Sequence, residues 1–296
     1  MKWQGVMPAI TTPFRADLSV DADLLVKQID ALVRAGCTGV VALGSLGEGG
    51  SLSFDEKKAV LRLCREALRG RAPLVAGVAA LTTAEAERLA ELGAETGCDG
   101  LMVLPPYVYE GDWRETRAHF EAVISETALP CMLYNNPIAY GTDVLPEQLK
   151  QLAEALPNLA AVKESSADVR RVTAIRALCG DRLALFVGVD DAIVEGVAAG
   201  AVGWIAGLAD ALPEESVRLF EHARAGRHAE ARALYEWFLP LLRLDTVPKF
   251  VQLIKLVQQE TGLGLEAVRP PRLPLAGDER EAALALVRDA LARRPA

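Results

Sequence analysis

The sequence predicts an α/β fold in which eight parallel strands, each followed by a helix, close into a (β/α)8 TIM barrel with a C-terminal helical extension. Two patterns carry this expectation. Short β-branched runs alternate with helical patterns eight times, and runs such as GVVAL (39–43), GLMVL (100–104) and CMLY (131–134) are apolar without in/out alternation. Strands of that kind are covered on both faces, as in a parallel sheet with helices packed outside. A third observation agrees: 296 residues that are 51% hydrophobic and 24% charged supply one large core and a charged surface.

Strands are expected at about 5–11, 39–43, 73–78, 99–104, 130–134, 159–163, 183–187 and 202–206. Between them, apolar residues recur at helical spacing, as in Leu24, Leu25, Ile29, Leu32 and Val33, or Val60, Leu61, Cys64 and Leu68. The segment GVAAGAVGWIAGLA (196–209) has 14 uncharged residues, short of the roughly 20 that a spanning helix needs. It reads as a buried helix end plus a strand. Beyond the eighth strand the pattern is helical at about 212–224, 228–243, 247–260 and 277–293, interrupted by the Pro-rich RPPRLPLAG (269–277). The expected organisation is a barrel over 1–224 and a helical extension over 225–296, packed on it as one domain.

A net charge of −8 and a pI near 5.1 repel phosphate backbones and anionic lipid surfaces, so neither nucleic acid nor membrane is an expected partner. The N-terminal MKWQGVMPAITTPF lacks the apolar core and cleavage site of a secretion signal. Cys37, Cys64, Cys98, Cys131 and Cys179 are odd in number and form no C-x-x-C pair, which fits a reduced, cytoplasmic protein.

Barrel chemistry lies at the carboxyl ends of the strands. That rule selects Thr11 and Thr12, GSLGEGG (44–50), PPYVYEG (105–111), YNNPIAYG (134–141), KESS (163–166), GVDD (188–191) and IAGLAD (205–210). In LAAVKESSADVRR (159–171) a lysine ends an apolar strand, whereas the other seven lysines, 2, 27, 57, 58, 150, 249 and 255, read as terminal, helical or polar-surface residues. A lysine at the mouth loses hydration and becomes an amine nucleophile able to form a Schiff base with a ketone. The competing reading keeps the Lys163 stem packed and its ammonium in water or paired with Glu164 or Asp190.

Tyr134 ends the neighbouring strand, where its hydroxyl could shuttle a proton; otherwise it is a core aromatic. GSLGEGG matches neither phosphate-loop spacing, and Glu48 would repel phosphate. A small carboxylate held by the Ser45 hydroxyl and the N–H groups of Ser45 and Leu46 fits better. GVDDA (188–192) and GLADA (207–211) are acidic where barrels bind phosphate, which disfavours phosphorylated sugars. Asp190 and Asp191 read as caps of the helix that follows. His119, His222 and His228 fall in outer helical segments, so the expected catalysis is covalent and metal-free.

GSLGE, YNNP and KESS, at these strand ends and in this order, together with ITTPF, resemble the family of dihydrodipicolinate synthase and N-acetylneuraminate lyase across essentially the whole chain. The resemblance implies a barrel that joins a lysine to the keto carbon of pyruvate or another 2-oxo acid, with no cofactor beyond that Schiff base. By the same match Lys163 is the Schiff-base residue and Tyr134 the proton shuttle. Ser45 and Leu46 would bind the substrate carboxylate, Gly188 and Ile205 would line the pocket through their backbones, and the assembly would be a homotetramer of dimers.

Three departures bear on the substrate. Relatives of the synthase type carry a second threonine where Leu46 stands, an arginine where Ala139 stands, and a neighbouring subunit's tyrosine where Val108 stands, here flanked by Tyr107 and Tyr109. Without the arginine there is no charge-assisted clamp for a second carboxylate. The expected substrate is therefore a 2-oxo acid, or its cyclic imine, with an uncharged far end. GSLGEGGSLSFDEK, YNNPIAYGTD, KESSADVRRVT and RPPRLPLAG resemble most the deaminases that open 1-pyrroline-4-hydroxy-2-carboxylate in hydroxyproline breakdown, giving 2,5-dioxopentanoate and ammonia. Alternatives are a 2-keto-3-deoxy sugar acid dehydratase or aldolase, with Asn136, Tyr140 and Ser166 on substrate hydroxyls; a 4-hydroxy-tetrahydrodipicolinate synthase; and a non-catalytic, oxo-acid-binding regulatory barrel.

Overall fold

The computed structural model describes residues 1–295. Its eight strands are β1 (Gly5–Pro8), β2 (Val40–Ala42), β3 (Leu74–Val78), β4 (Gly100–Val103), β5 (Cys131–Asn135), β6 (Leu159–Glu164), β7 (Ala184–Val187) and β8 (Gly203–Ala206). All pair in parallel in the order β1-β8-β7-β6-β5-β4-β3-β2. The seam between β1 and β2 is closed just past the strand by the Ala9↔Val41 bridge, with the Ile10 amide donating to the Val41 carbonyl at 2.9 Å. The barrel is thus nearly closed, as the alternating pattern predicts.

Helices α1 (Ala22–Arg34), α2 (Phe54–Leu68), α3 (Thr83–Glu95), α4 (Trp113–Ser125), the short α5 (Pro137–Tyr140), α6 (Pro146–Ala155), α7 (Arg170–Cys179), α8 (Ile193–Ala198) and α9 (Pro213–Arg224) follow the strands. Then come α10 (His228–Leu242), α11 (Phe250–Glu260) and α12 (Gly277–Ala292). The helix expected from 247 begins at Phe250, because Arg243–Thr246 form a 3-10 turn and Pro248 has no amide for a helical bond. No described helix is long and apolar enough to cross a membrane.

Alternation along each strand sets which residues face the barrel axis. Met7, Val41, Val75, Met102, Met132, Ala161, Phe186 and Ile205 form one inner cluster. Their neighbours Val6, Val40, Leu101, Leu133, Val162, Leu185 and Trp204 pack outward against helix residues such as Leu25, Ile29, Val60 and Leu61. Two residues beyond Met132, Ala161 and Phe186 stand Tyr134, Lys163 and Gly188, which inherit the inward direction. Register places them side by side, with Tyr134 opposite Lys163 and Lys163 opposite Phe186.

The loop after β2 is anchored from far along the chain. Glu48, in the left-handed region at φ 53°, turns its fully buried carboxylate to Lys255 on α11, 2.5 Å away. The same ammonium donates to the carbonyls of Thr12 at 2.8 Å and Ala267 at 2.7 Å, while the Arg269 amide donates to Glu48 at 3.0 Å. Lys255 is 0% exposed and Lys57 is also buried, so two of the lysines read as terminal, helical or polar-surface residues are helical but not superficial. α11 is covered on most of its surface, so the apolar spacing of Val251, Ile254 and Val257 does not confine Lys255 to water.

Burial lowers the Lys255 pKa, and the Glu48 charge opposes that shift. Removing one partner of such a pair leaves an uncompensated buried charge. Lys255→Met is expected to cost about 3–5 kcal/mol of stability, and Lys255→Met with Glu48→Gln less than the single change. Urea unfolding of both variants measures this; equal losses would contradict it.

Candidate active site

Lys163 reaches the mouth from the end of β6 and is 6% exposed. Its Nζ lies 3.9 Å from the centroid of the Tyr134 ring, within cation–π range. Among the described residues it makes no ion pair: Glu164 and Asp190 bond elsewhere, and Asp190 and Asp245 act on the amine only through space. Glu164 faces away and accepts from Asn135 Nδ2 at 3.1 Å and the Ser166 amide at 2.7 Å. Asn135 also donates to Asp143, which Arg171 grips with two bonds of 2.6 Å, so a polar frame outside β5 and β6 fixes both strand ends. Burial raises the Glu164 pKa against these donors.

Asp190, expected to cap its own helix, instead ties β7 to β8. It is completely buried and accepts from Trp204 Nε1 at 2.9 Å, the Gly207 amide at 3.1 Å and the Leu208 amide at 2.7 Å. Asp191 does not cap either; it meets Arg243 Nε at 3.4 Å. Asp190 is committed to the β8 loop because the β7 turn drops its side chain between the two strand ends. Burial pushes its pKa up to about 6.

Gly188 lies directly against the lysine. A Cβ there would stand 2.5 Å from Lys163 Cε and 2.0 Å from Ser165 Oγ, so only glycine leaves the lysine stem its path. Ile205 is buried in the inner cluster next to this floor. Opposite, Ser45 is half-buried at the mouth, while the Leu46 side chain sinks into the outer core, leaving only its backbone near the opening. No acceptor among the described residues takes the amide of Ser45 or Leu46. These amides and the Ser45 hydroxyl are donors suited to a carboxylate.

Thr11 and Thr12 are spent on the scaffold. Their hydroxyls donate to Gln258 Oε1 at 2.8 Å and to the Gly47 carbonyl at 2.6 Å. Tyr107 turns inward, its hydroxyl 3.4 Å from Ser45 Oγ, while Tyr109 is 57% exposed and donates to Glu115. The sequence alone leaves open which of the two joins the site, since adjacent loop positions carry no periodicity. Tyr140 also enters: its hydroxyl bonds to Ser45 Oγ, and its ring meets Tyr134 and Tyr107 edge-on, with centroids 5.6 and 5.2 Å apart. Burial raises the pKa of both Tyr107 and Tyr140, keeping both hydroxyls protonated donors. Ser165, selected within KESS but given no role by the sequence, has a buried Oγ with no partner among the described residues.

Comparison with known proteins agrees with this geometry. The model of the dihydrodipicolinate synthetase family matches residues 2–290. The chain is 34% identical over 302 residues to the 4-hydroxy-tetrahydrodipicolinate synthase of Xanthomonas axonopodis pv. citri, covering 99% of this chain and 96% of that protein. Over 239 residues it is 34% identical to the Rhizobium meliloti protein of the same name, 81% of each chain. Among solved structures, the 4-hydroxy-tetrahydrodipicolinate synthase of Methylacidiphilum fumariolicum SolV superposes with a TM-score of 0.93 at 27% identity, covering 99% of this chain and 98% of that one. A prophage protein of E. coli K12, solved in complex with pyruvate, gives 0.91 at 27% identity, covering 98% and 99%.

Two outcomes follow from the geometry. Gly188→Ala is expected to displace the lysine stem and lower turnover by about 100-fold while the circular dichroism spectrum is retained; unchanged turnover would contradict the contact. Between about pH 4 and 6 the unfolded chain gives up the Asp190 proton while the folded protein keeps it, so this group makes stability fall as pH rises through that window. Urea unfolding as a function of pH should show a shallower fall in Asp190→Asn than in the parent.

Proposed function

Because the chain belongs to the dihydrodipicolinate synthetase family, whose members are lyases that form a lysine Schiff base and need no cofactor, we propose that Lys163 forms it here, on a 2-oxo acid or its cyclic imine. One observation carries this reading: an inward-facing amine at a strand end, in no ion pair among the described residues and beside a tyrosine. Lys163 attacks C2, and Tyr134 passes the protons that addition and collapse require. The Ser45 hydroxyl and the amides of Ser45 and Leu46 hold the carboxylate, and the backbones of Gly188 and Ile205 line the floor.

Two readings of the substrate have separate support. The relatives carry the name 4-hydroxy-tetrahydrodipicolinate synthase, so the comparisons favour that activity over the deaminase. Local chemistry favours the deaminase: Ala139 offers no cation for a second carboxylate and Leu46 no hydroxyl. In that reaction Lys163 adds to the ring C=N, and the C2–N bond breaks to leave the lysine imine and a free amine. A C3 proton then departs with the 4-hydroxyl, and hydrolysis, with a net uptake of one water, releases ammonia and 2,5-dioxopentanoate. The homotetramer and the cytoplasmic location belong to the same proposal. The exposed Leu81, Val108, Tyr109 and Ile138, on the segments that follow β3, β4 and β5, support a subunit contact.

Borohydride reduction with pyruvate is expected to add to Lys163 the mass of pyruvic acid less one oxygen, since the imine forms with loss of water and is reduced by two hydrogens. Lys163→Ala is expected to abolish the adduct and lower turnover by at least roughly 10³-fold. No adduct would favour a binding barrel without catalysis. A substrate panel then separates the activities: ammonia from the hydroxylated pyrroline, 4-hydroxy-tetrahydrodipicolinate from pyruvate and its aldehyde partner, or water or pyruvate from a 2-keto-3-deoxy sugar acid.

A further inference from the structure

Tyr140 has no assigned part in the chemistry above, yet its hydroxyl is bonded to the one side chain placed to meet a substrate carboxylate. Its position is built by several contacts. Asn136 Oδ1 caps α5 by accepting the Ala139 amide at 3.0 Å, while Asn136 Nδ2 donates to the Tyr134 hydroxyl at 3.0 Å. One side chain therefore fixes both the turn that carries Tyr140 and the phenol beside Lys163. The Tyr140 ring is held edge-on between Tyr134 and Tyr107, at interplanar angles of 87° and 80°. Glu110 from the loop after β4 packs over Gly141, where a Cβ would stand 2.0 Å from its carboxylate, and so closes the end of the turn.

The direction of the hydroxyl pair follows from acidity. A phenol, with an ordinary pKa near 10, is a far stronger acid than an alcohol, so Tyr140 O–H donates and Ser45 Oγ accepts. Ser45 then has its own proton free, and a hydroxyl that accepts one bond donates the next more strongly. Reversed, Ser45 would turn a lone pair toward the ligand and repel a carboxylate. Tyr107, at 3.4 Å, is placed for a longer second contact with the same oxygen.

We propose that Tyr140 is a positioning residue that acts through Ser45, in a one-way donor chain from Tyr140 to Ser45 to the carboxylate of a 2-oxo acid. It sets how tightly the acid is held, not how fast the imine forms. The inference rests on the reading that a 2-oxo acid is bound beside Lys163.

The test is borohydride trapping of the Lys163 adduct at increasing pyruvate, read by intact mass, with methyl pyruvate as the uncharged comparison. Tyr140→Phe is expected to raise half-saturating pyruvate about tenfold, as for one charge-assisted bond. The adduct rate at saturation should change less than about threefold, and half-saturation by methyl pyruvate should hardly move. A packing defect would instead penalise both ligands. Ser45→Ala should weaken pyruvate at least as much as Tyr140→Phe, and the double variant should be no worse than Ser45→Ala.

Half-saturation of Tyr140→Phe within twofold of the parent, equal losses for the two ligands, or multiplying effects in the double variant would each overturn the proposal. Should Tyr140→Phe fail to fold in thermal unfolding, Ser45→Ala still decides, since an equal loss for pyruvate and methyl pyruvate overturns the chain. Absence of any Lys163 adduct in the parent overturns the reading of the site and this inference with it; a normal adduct with unshifted saturation overturns only the role of Tyr140.

Discussion

The two-residue repeat of a strand in a closed barrel is the constraint on which the site depends. Each strand gives every second side chain to the interior, and the helices cover the rest. Because Met132, Ala161 and Phe186 fill the barrel, the positions two residues on, Tyr134, Lys163 and Gly188, must open at its mouth. A slip of one residue in β6 would turn the amine outward among the helices and bring Glu164 in. The polar frame of Asn135, Glu164, Asp143 and Arg171 opposes that slip by giving the outward acid its own partners.

Long-range closure is the second requirement, because loops at strand ends have no order of their own. The GSLGEGG turn is held by the buried Glu48 and Lys255 pair, and Gly49 passes so close to Leu43 that a Cβ would stand 2.2 Å from its carbonyl oxygen. The C-terminal helices thus do more than cover the barrel: α11 supplies the cation that lets an acidic loop fold beside the mouth. In this protein Glu48 does not act on a ligand as a charge, since its carboxylate is neutralised on the far side of the turn. The ionisable groups that act on one another at the opening are therefore Lys163, Asp190 and Asp245, with neutral donors around them.

What the sequence reveals follows from the range of the forces involved. Strand and helix identities depend on local periodicity, and all eight strands fall where the apolar runs place them. Lys163 and Tyr134 are legible for the same reason, since a polar residue that ends an apolar strand has few places to go. The partners of Glu48 and Asp190 are not legible, because Lys255 lies 207 residues from Glu48 and the β8 loop amides carry no sequence signature. Helix-cap chemistry is a sound reason to place Asp190 on its own helix, but in a packed barrel the neighbouring strand end competes for the same carboxylate and provides more donors. Tyr140 and Tyr107 are nameable from the sequence but their partner is not: they lie in the segments after β5 and β4, which carry no strand periodicity, and their meeting at Ser45 exists only after three strand ends are brought together.

That meeting bears on how the family chemistry can be adapted. In the proposed reaction the covalent step needs only an amine and a proton shuttle, and Lys163 and Tyr134 stand on adjacent strands whose register is fixed by the barrel. Recognition of the acid depends on the loops, where Leu46, Ala139 and Tyr140 stand at positions that no strand dictates. With no hydroxyl at Leu46 and no cation at Ala139 the hold on a ligand rich in negative charge is weak, while the Tyr140 phenol strengthens the one side-chain donor for a carboxylate, Ser45. The physical trend of these three positions is toward one well-held carboxylate and an unclamped remainder, with the bond-making apparatus left as the strands set it.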